Sequence, residues 1–65
     1  MEEMMNLEAQ KLSEAVEEMK VVKIIFVNGY QMNCTVTDFS DQVLIVHEGG
    51  KEKMIYRHAV STIEL

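Results

Sequence analysis

The feature that most constrains this fold is a change in hydrophobic spacing at Lys20. Before it, apolar residues recur every three or four positions, which places them along one side of a helix. These residues are Met5, Ala9, Leu12, Val16 and Met19. We therefore predict one helix over residues 4–19. Its apolar stripe is expected to pack against the rest of the chain, and a helix that binds a separate partner is the alternative.

After Lys20, short runs rich in β-branched residues predict five strands. They cover approximately residues 21–28, 30–39, 43–47, 53–57 and 60–64. Asn28 and Gly29 both tolerate the positive φ of a tight hairpin turn, and residues 48–51 predict a second turn. The fold class is therefore mainly β with an N-terminal α-helix. We expect residues 1–65 to form one domain, a strongly bent five-stranded antiparallel sheet or open barrel.

The size of the chain indicates self-association. Sixty-five residues bury a modest fraction of their unfolded surface, so small domains use disulfides, metals or oligomerisation. Cys34 is the only cysteine and is expected to be a small buried side chain. Together with His47 and His58 it gives too few ligands for a structural zinc ion. We expect no metal and no cofactor, which leaves oligomerisation.

Charge and hydropathy exclude several classes of protein. The net charge of −5 counts against a simple nucleic-acid-binding protein, which is expected to be basic. Residues 1–20 contain six of the eleven acidic side chains and two of the six basic ones, so the sheet is nearly neutral. No secretory signal or bilayer-length apolar run is visible, and we expect a soluble cytoplasmic protein without a membrane partner. No nucleophile elbow or spaced acid–base pair is present, so we expect no enzyme.

Two segments of this sequence resemble a known family. Residues 56–62 read YRHAVST and residues 27–32 read VNGYQM. Together they closely resemble the Hfq branch of the Sm-like RNA-binding proteins, and the resemblance runs from about Val21 to Ile63. It implies an Sm-like fold and a homohexameric ring in which strand four of one subunit pairs with strand five of the next. The implied function is that of an RNA chaperone and post-transcriptional regulator that binds small RNA and mRNA.

The resemblance implies a first RNA site around the central pore, for uridine-rich strands. Its residues would be Asp41, Gln42, Tyr56, Arg57 and His58. Arg57 stands where the family usually has lysine, and Gln42 stands where it usually has an aromatic ring. Because glutamine stacks less well on a base and Asp41 adds negative charge, we expect this site to be weak. An ordinary exposed basic turn is the alternative for Arg57 and His58.

The resemblance implies a second RNA site, on the opposite face, for adenine-rich or alternating purine strands. Its residues would be Ile25, Phe26, Asn28, Gly29, Tyr30, Gln31, Met32, Glu52, Ser61 and Thr62. Tyr30 and Phe26 would stack on purines, and Gln31 would bond to a base edge. Core packing is the alternative for Phe26 and Met32. Glu52 stands where the family usually has glutamine, and a carboxylate only accepts hydrogen bonds.

Two further differences from the family bear on shape and activity. Residues 15–20 read AVEEMK where many members have several arginines, so we expect an acidic rim that anneals RNA poorly. Cys34 stands where glycine usually allows the second strand to bend sharply. Two other hypotheses remain open: an oligomeric assembly or interaction module with little RNA binding, and a monomer whose interface has been lost.

Overall fold

The computed structural model describes residues 7–65, and its helix α1 spans Leu7–Glu18. Leu12 and Ala15 are buried and Val16 is partly buried, so this side of the helix covers the sheet as the spacing predicts. Met5, the first residue of the predicted stripe, lies outside the described residues. The prediction for Met19 is wrong, because its side chain is 72% exposed.

The end of α1 explains why Met19 leaves the stripe. The Lys20 N–H donates to the Ala15 carbonyl at 3.0 Å, and the Met19 N–H donates to the Val16 carbonyl at 3.2 Å. This pair of bonds is the Schellman cap, which turns the chain back after the helix. It holds Met19 at φ 54°, in the left-handed region. Such a φ costs a residue with a Cβ about 1–2 kcal/mol.

Met19→Gly is expected to raise the free energy of unfolding by about 0.5–1 kcal/mol. Glycine adopts this φ without strain, although part of the gain is lost to the larger entropy of its unfolded chain. Urea unfolding at one fixed protein concentration measures the change. Met19→Ala is the control, since it keeps the Cβ and should give no gain. An equal gain from both variants would show that the φ angle is not the cause.

Five antiparallel strands follow α1, which confirms the predicted fold class. They are β1 (Val21–Phe26), β2 (Gln31–Phe39), β3 (Val43–Glu48), β4 (Lys51–Tyr56) and β5 (Val60–Glu64). The strand order in the sheet is β4-β3-β2-β1-β5, so β4 and β5 are its two edges. A 3₁₀ turn of three residues, Arg57–Ala59, joins these two edge strands.

This short connection requires the sheet to curl. Four spacings of about 4.8 Å would separate the edges of a flat sheet by about 19 Å. A 3₁₀ turn rises only about 2 Å per residue, so three residues cannot cover that distance. The end of β4 and the start of β5 must therefore approach each other. The result is the strongly bent, open-barrel arrangement that the sequence predicts.

The second strand contains a β-bulge at Thr37. The β2–β3 register shifts between Val36 and Asp38, which leaves Thr37 as an extra residue. Such a bulge bends a strand and increases its twist. Cys34 pairs regularly with Val22 and is buried, as expected for a small apolar side chain. Burial, with a smaller contribution from the charge of Glu48, raises the pKa of the Cys34 thiol, so the thiol stays protonated.

The core lies between α1 and the concave face of the sheet. Alternate residues of β2 before the bulge point into it, which is why Met32, Cys34 and Val36 are buried. The core residues are Leu12, Ala15, Val22, Ile24, Met32, Cys34, Val36, Leu44, Val46 and Ile55. No polar or charged side chain is buried within residues 7–65. The same residues include no helix with the length and apolar character needed to cross a membrane.

Candidate nucleic-acid interface

The loop between β1 and β2 fixes an aromatic pair at the surface. The Phe26 N–H donates to the Tyr30 carbonyl at 2.8 Å, and the Gly29 N–H donates to the Phe26 carbonyl at 2.9 Å. Residues 27–29 therefore form the loop. Of these, only Gly29 has a positive φ, at 92°. The predicted turn at Asn28 and Gly29 is present, but only the glycine uses the positive φ that both residues tolerate. The side-chain Oδ1 of Asn28 instead accepts the Tyr30 N–H at 3.0 Å.

Phe26 and Tyr30 lie on either side of this loop, and their rings form a pair. We call residues 26–30 the aromatic loop. Their ring centroids are 5.7 Å apart, with the rings tilted by 37°. Phe26 is partly buried against the core, whereas Tyr30 is 59% exposed. Both rings line a shallow depression together with Val27, Asn28 and Ala59. A ring anchored on one side and open on the other is suited to stacking on a base or another flat group.

A row of side chains continues from this loop across the outer face of the sheet. The strand register places Thr62, Ile25 and Gln31 side by side on β5, β1 and β2. Ile25 follows the core residue Ile24 in β1, so it points to the opposite face. Ser61 is the extra residue where the β1–β5 register shifts, and its Oγ lies 3.4 Å from Thr62 Oγ1. Eight residues of the predicted purine site thus lie on this loop or in this row, or next to it: Ile25, Phe26, Asn28, Gly29, Tyr30, Gln31, Ser61 and Thr62.

Two other residues of the predicted purine site are placed differently. Met32 is only 9% exposed and belongs to the core, which corrects its assignment as a surface contact. Its neighbours in β2 alternate between the two faces, and Met32 falls on the inner one. Glu52 is exposed on the edge strand β4, opposite His47. In the strand order, β3 and β2 separate it from β1.

Lys53, one of the two lysines beside Glu52, does not pair with it. Lys53 Nζ contacts Glu48 Oε1 at 2.6 Å instead. The hydrogen bond and the charge of Glu48 raise the pKa of Lys53. Glu52 therefore gains no ion pair from this neighbour.

The 3₁₀ turn brings together all five residues predicted for the uridine site. They line one shallow depression: Asp41, Gln42, Tyr56, Arg57 and His58. The Arg57 N–H donates to the Gln42 carbonyl at 2.9 Å and so holds the β2–β3 loop against the turn. The rings of Tyr56 and His58 stack, with centroids 5.9 Å apart and planes 20° apart. This depression is therefore lined by an imidazole, a phenol and an amide.

The Arg57 guanidinium is already engaged within its own chain. It donates to the Ser40 carbonyl and forms an ion pair with Glu8 of α1. Its side chain is only 16% exposed, whereas that of Glu8 is 64% exposed. Glu8 and Ser40 were not among the predicted site residues. Glu8 is distant in sequence, and its charge alone does not distinguish it from the other glutamates of the helix.

The comparison with protein families decides what kind of chain this is. The family model described as Hfq protein matches residues 7–65, which is every residue that the structure describes. The chain belongs to the Hfq family. The identification from residues 27–32 and 56–62 is thereby confirmed.

Relatives of similar size carry the name RNA-binding protein Hfq. The one from Alkaliphilus oremlandii is 38% identical over 58 residues, which is 89% of this chain and 72% of that protein. The one from Bacillus licheniformis is 32% identical over 57 residues, or 88% of this chain and 78% of the relative. A 1.55 Å crystal structure of Hfq, described as a pleiotropic translational regulator, superposes with a TM-score of 0.88 at 28% identity. That match covers 92% of this chain and all of the crystallised one, which confirms the Sm-like fold.

The end of α1 in this Hfq-family chain carries two exposed acids, Glu17 and Glu18. The last turn of α1 contains no basic side chain. The carbonyl groups at this end of a helix already carry partial negative charge. The acidic pair therefore makes this end of the helix more negative, which disfavours contact with an anion.

Proposed function

We propose that this Hfq-family chain binds single-stranded RNA and acts as an RNA chaperone and post-transcriptional regulator in the cytoplasm. The observation that carries this proposal is the exposed aromatic pair, Phe26 and Tyr30, beside a row that contains Gln31 and Thr62. Aromatic rings stack on bases, and amides and hydroxyls bond to base edges. The name RNA-binding protein, which the curated relatives carry, supports the same reading.

The RNA-binding form that we propose is a homohexameric ring. Both edge strands of the sheet are open, and such edges are ready to pair with another chain. On β4, Met54 and Tyr56 are each 57% exposed, which is unusual for large apolar side chains. A groove beside β5 is lined in part by Leu12, Leu44, Val60 and Ile63. Pairing β4 of one chain with β5 of the next would cover these surfaces around a closed ring.

The two faces of this ring would bind with different strength. The aromatic loop would take adenine-rich or alternating purine strands and supply most of the affinity. The basic turn would take uridine-rich strands weakly, because Gln42 has no ring, Asp41 is negative and Arg57 is already paired. Six copies of each modest site would act on one strand at high effective concentration.

The experiment that tests this function combines size and binding. Native mass spectrometry determines the oligomer, and fluorescence anisotropy follows oligo-A, oligo-U and mixed-purine strands at two salt concentrations. We expect a hexamer, the tightest binding for the adenine-containing strands, and an affinity that falls steeply with salt. Single folded chains at micromolar concentration would contradict the ring.

The second candidate function is an assembly or interaction module with little RNA binding. The acids at the end of α1 and Glu52, which Lys53 does not pair with, favour it, because negative charges repel phosphate. A stable ring that takes up no strand at low salt would select this function over RNA binding. Native mass spectrometry with and without oligo-A separates the two.

A further inference from the structure

Arg57 has two partners in its own chain, and both are oxygen atoms. The Ser40 carbonyl accepts from Nη1, and the Glu8 carboxylate pairs with Nη2. The planar fork of a guanidinium binds two oxygens of a phosphate in the same manner. The chain therefore already fills the positions that a phosphate group would occupy on Arg57.

The two partners differ in how firmly they are held. Ser40 belongs to the β2–β3 loop, where its N–H donates to the Val43 carbonyl at 2.9 Å. Its Oγ accepts the N–H groups of Gln42 and Val43, each at 3.2 Å. Glu8 is instead a long, 64% exposed side chain in the first turn of α1. Exposed ion pairs contribute little stability, so Glu8 can leave Arg57 whereas the Ser40 carbonyl stays in place.

The surroundings of this ion pair suit an anion once Glu8 moves aside. Arg57 also lines the depression at the 3₁₀ turn, beside His58. Guanidinium and imidazole groups bind phosphate oxygens in nucleic-acid complexes.

We propose that Glu8 is a displaceable internal counter-ion of Arg57, which an RNA phosphate must replace before it can bind at the basic turn. Glu8 thereby lowers the affinity of the turn for uridine-rich RNA and leaves the aromatic loop unaffected. It is a specificity determinant, because it shifts the preference of the whole chain toward purine strands. This inference rests on the proposed RNA-binding function, and it adds a regulating residue to the site at the turn.

Glu8→Gln tests the inference, and Glu14→Gln is its matched control. Glu14 is an exposed acid of the same helix and lies in a different depression, with Ala9, Gln10 and Ser13. Both variants remove one negative charge. We expect Glu8→Gln to tighten oligo-U binding by about two- to fivefold, the range set by an exposed ion pair. Glu14→Gln should leave it unchanged, and oligo-A binding should be the same in both. In an Arg57→Gln background, the effect of Glu8→Gln should disappear.

A second readout does not depend on RNA. Inorganic phosphate is titrated against the folded protein while the Arg57 Nε–H signal is followed by NMR. Phosphate should shift this signal at lower concentration in Glu8→Gln than in the wild type or in Glu14→Gln.

The outcomes distinguish failure of the role of Glu8 from failure of the proposed RNA binding. Equal effects of both variants on oligo-U would show that only net charge matters and would overturn the role of Glu8. A phosphate response that does not depend on Glu8 would overturn it as well. If the wild type binds no oligonucleotide but phosphate still reaches Arg57 more readily in Glu8→Gln, RNA binding fails and the competition by Glu8 stands.

Discussion

Met54→Glu is expected to convert the assembled protein into single folded chains and to lower its affinity for oligo-A by about 100-fold or more. Met54 is 57% exposed on the edge strand β4, so a charge there costs the isolated chain little. In a ring, the same side chain would lie against the neighbouring subunit. A carboxylate buried there without a partner would oppose pairing. Loss of the ring would remove the avidity of six linked sites. Linking of sites raises the affinity for one strand by about 100-fold or more.

Met19→Glu is the matched control for Met54→Glu. It makes the same chemical change at a side chain that is 72% exposed at the end of α1, outside both edge strands. It should leave the oligomer intact. Sedimentation velocity measures size, circular dichroism checks that the chains remain folded, and anisotropy gives the oligo-A affinity. A Met54→Glu protein that remains hexameric would place the interface elsewhere than β4.

The helix and the sheet could be predicted because their signals are local. Apolar spacing placed Leu12 and Val16 on the side of α1 that covers the core, and β-branched runs predicted the five strands. The spacing failed at Met19, where two backbone hydrogen bonds of the cap end the helix in spite of an apolar residue. It also gave no sign of the bulge at Thr37, because a shift of register depends on the partner strand.

The candidate site could be predicted only in part. Tyr56, Arg57 and His58 are neighbours in sequence, so their common depression follows from the turn itself. Tyr30 is exposed and Met32 is buried because the three-residue loop determines which residues of β2 point toward the core. Sequence alone left Met32 undecided between core and surface.

The pairing of Arg57 with Glu8 and Ser40 could not be read from the sequence. It requires α1 to lie across the sheet so that its first turn reaches the 3₁₀ turn. No local spacing encodes that contact. Its consequence is that an arginine predicted for the uridine site is already paired within its own chain.

Tyr30→Ala is expected to weaken oligo-A binding by about five- to 150-fold and to leave oligo-U binding unchanged. Each base that stacks on an aromatic ring contributes about 1–3 kcal/mol, and the variant removes the exposed ring of the pair. Tyr30 is 59% exposed and lies outside the core, so the fold and the oligomer should persist. Anisotropy with both oligonucleotides, on samples of verified size, measures the change.

Tyr30→Phe is the matched control for this experiment, because it keeps the ring and removes only the hydroxyl. Retained oligo-A binding in Tyr30→Phe, together with its loss in Tyr30→Ala, would identify stacking as the source of affinity. Equal losses in both variants would instead assign the role to the hydroxyl. Full oligo-A affinity in Tyr30→Ala would remove the aromatic loop from the RNA surface altogether. The unchanged oligo-U affinity matters equally, since Tyr30 and the basic turn line separate depressions and should titrate independently.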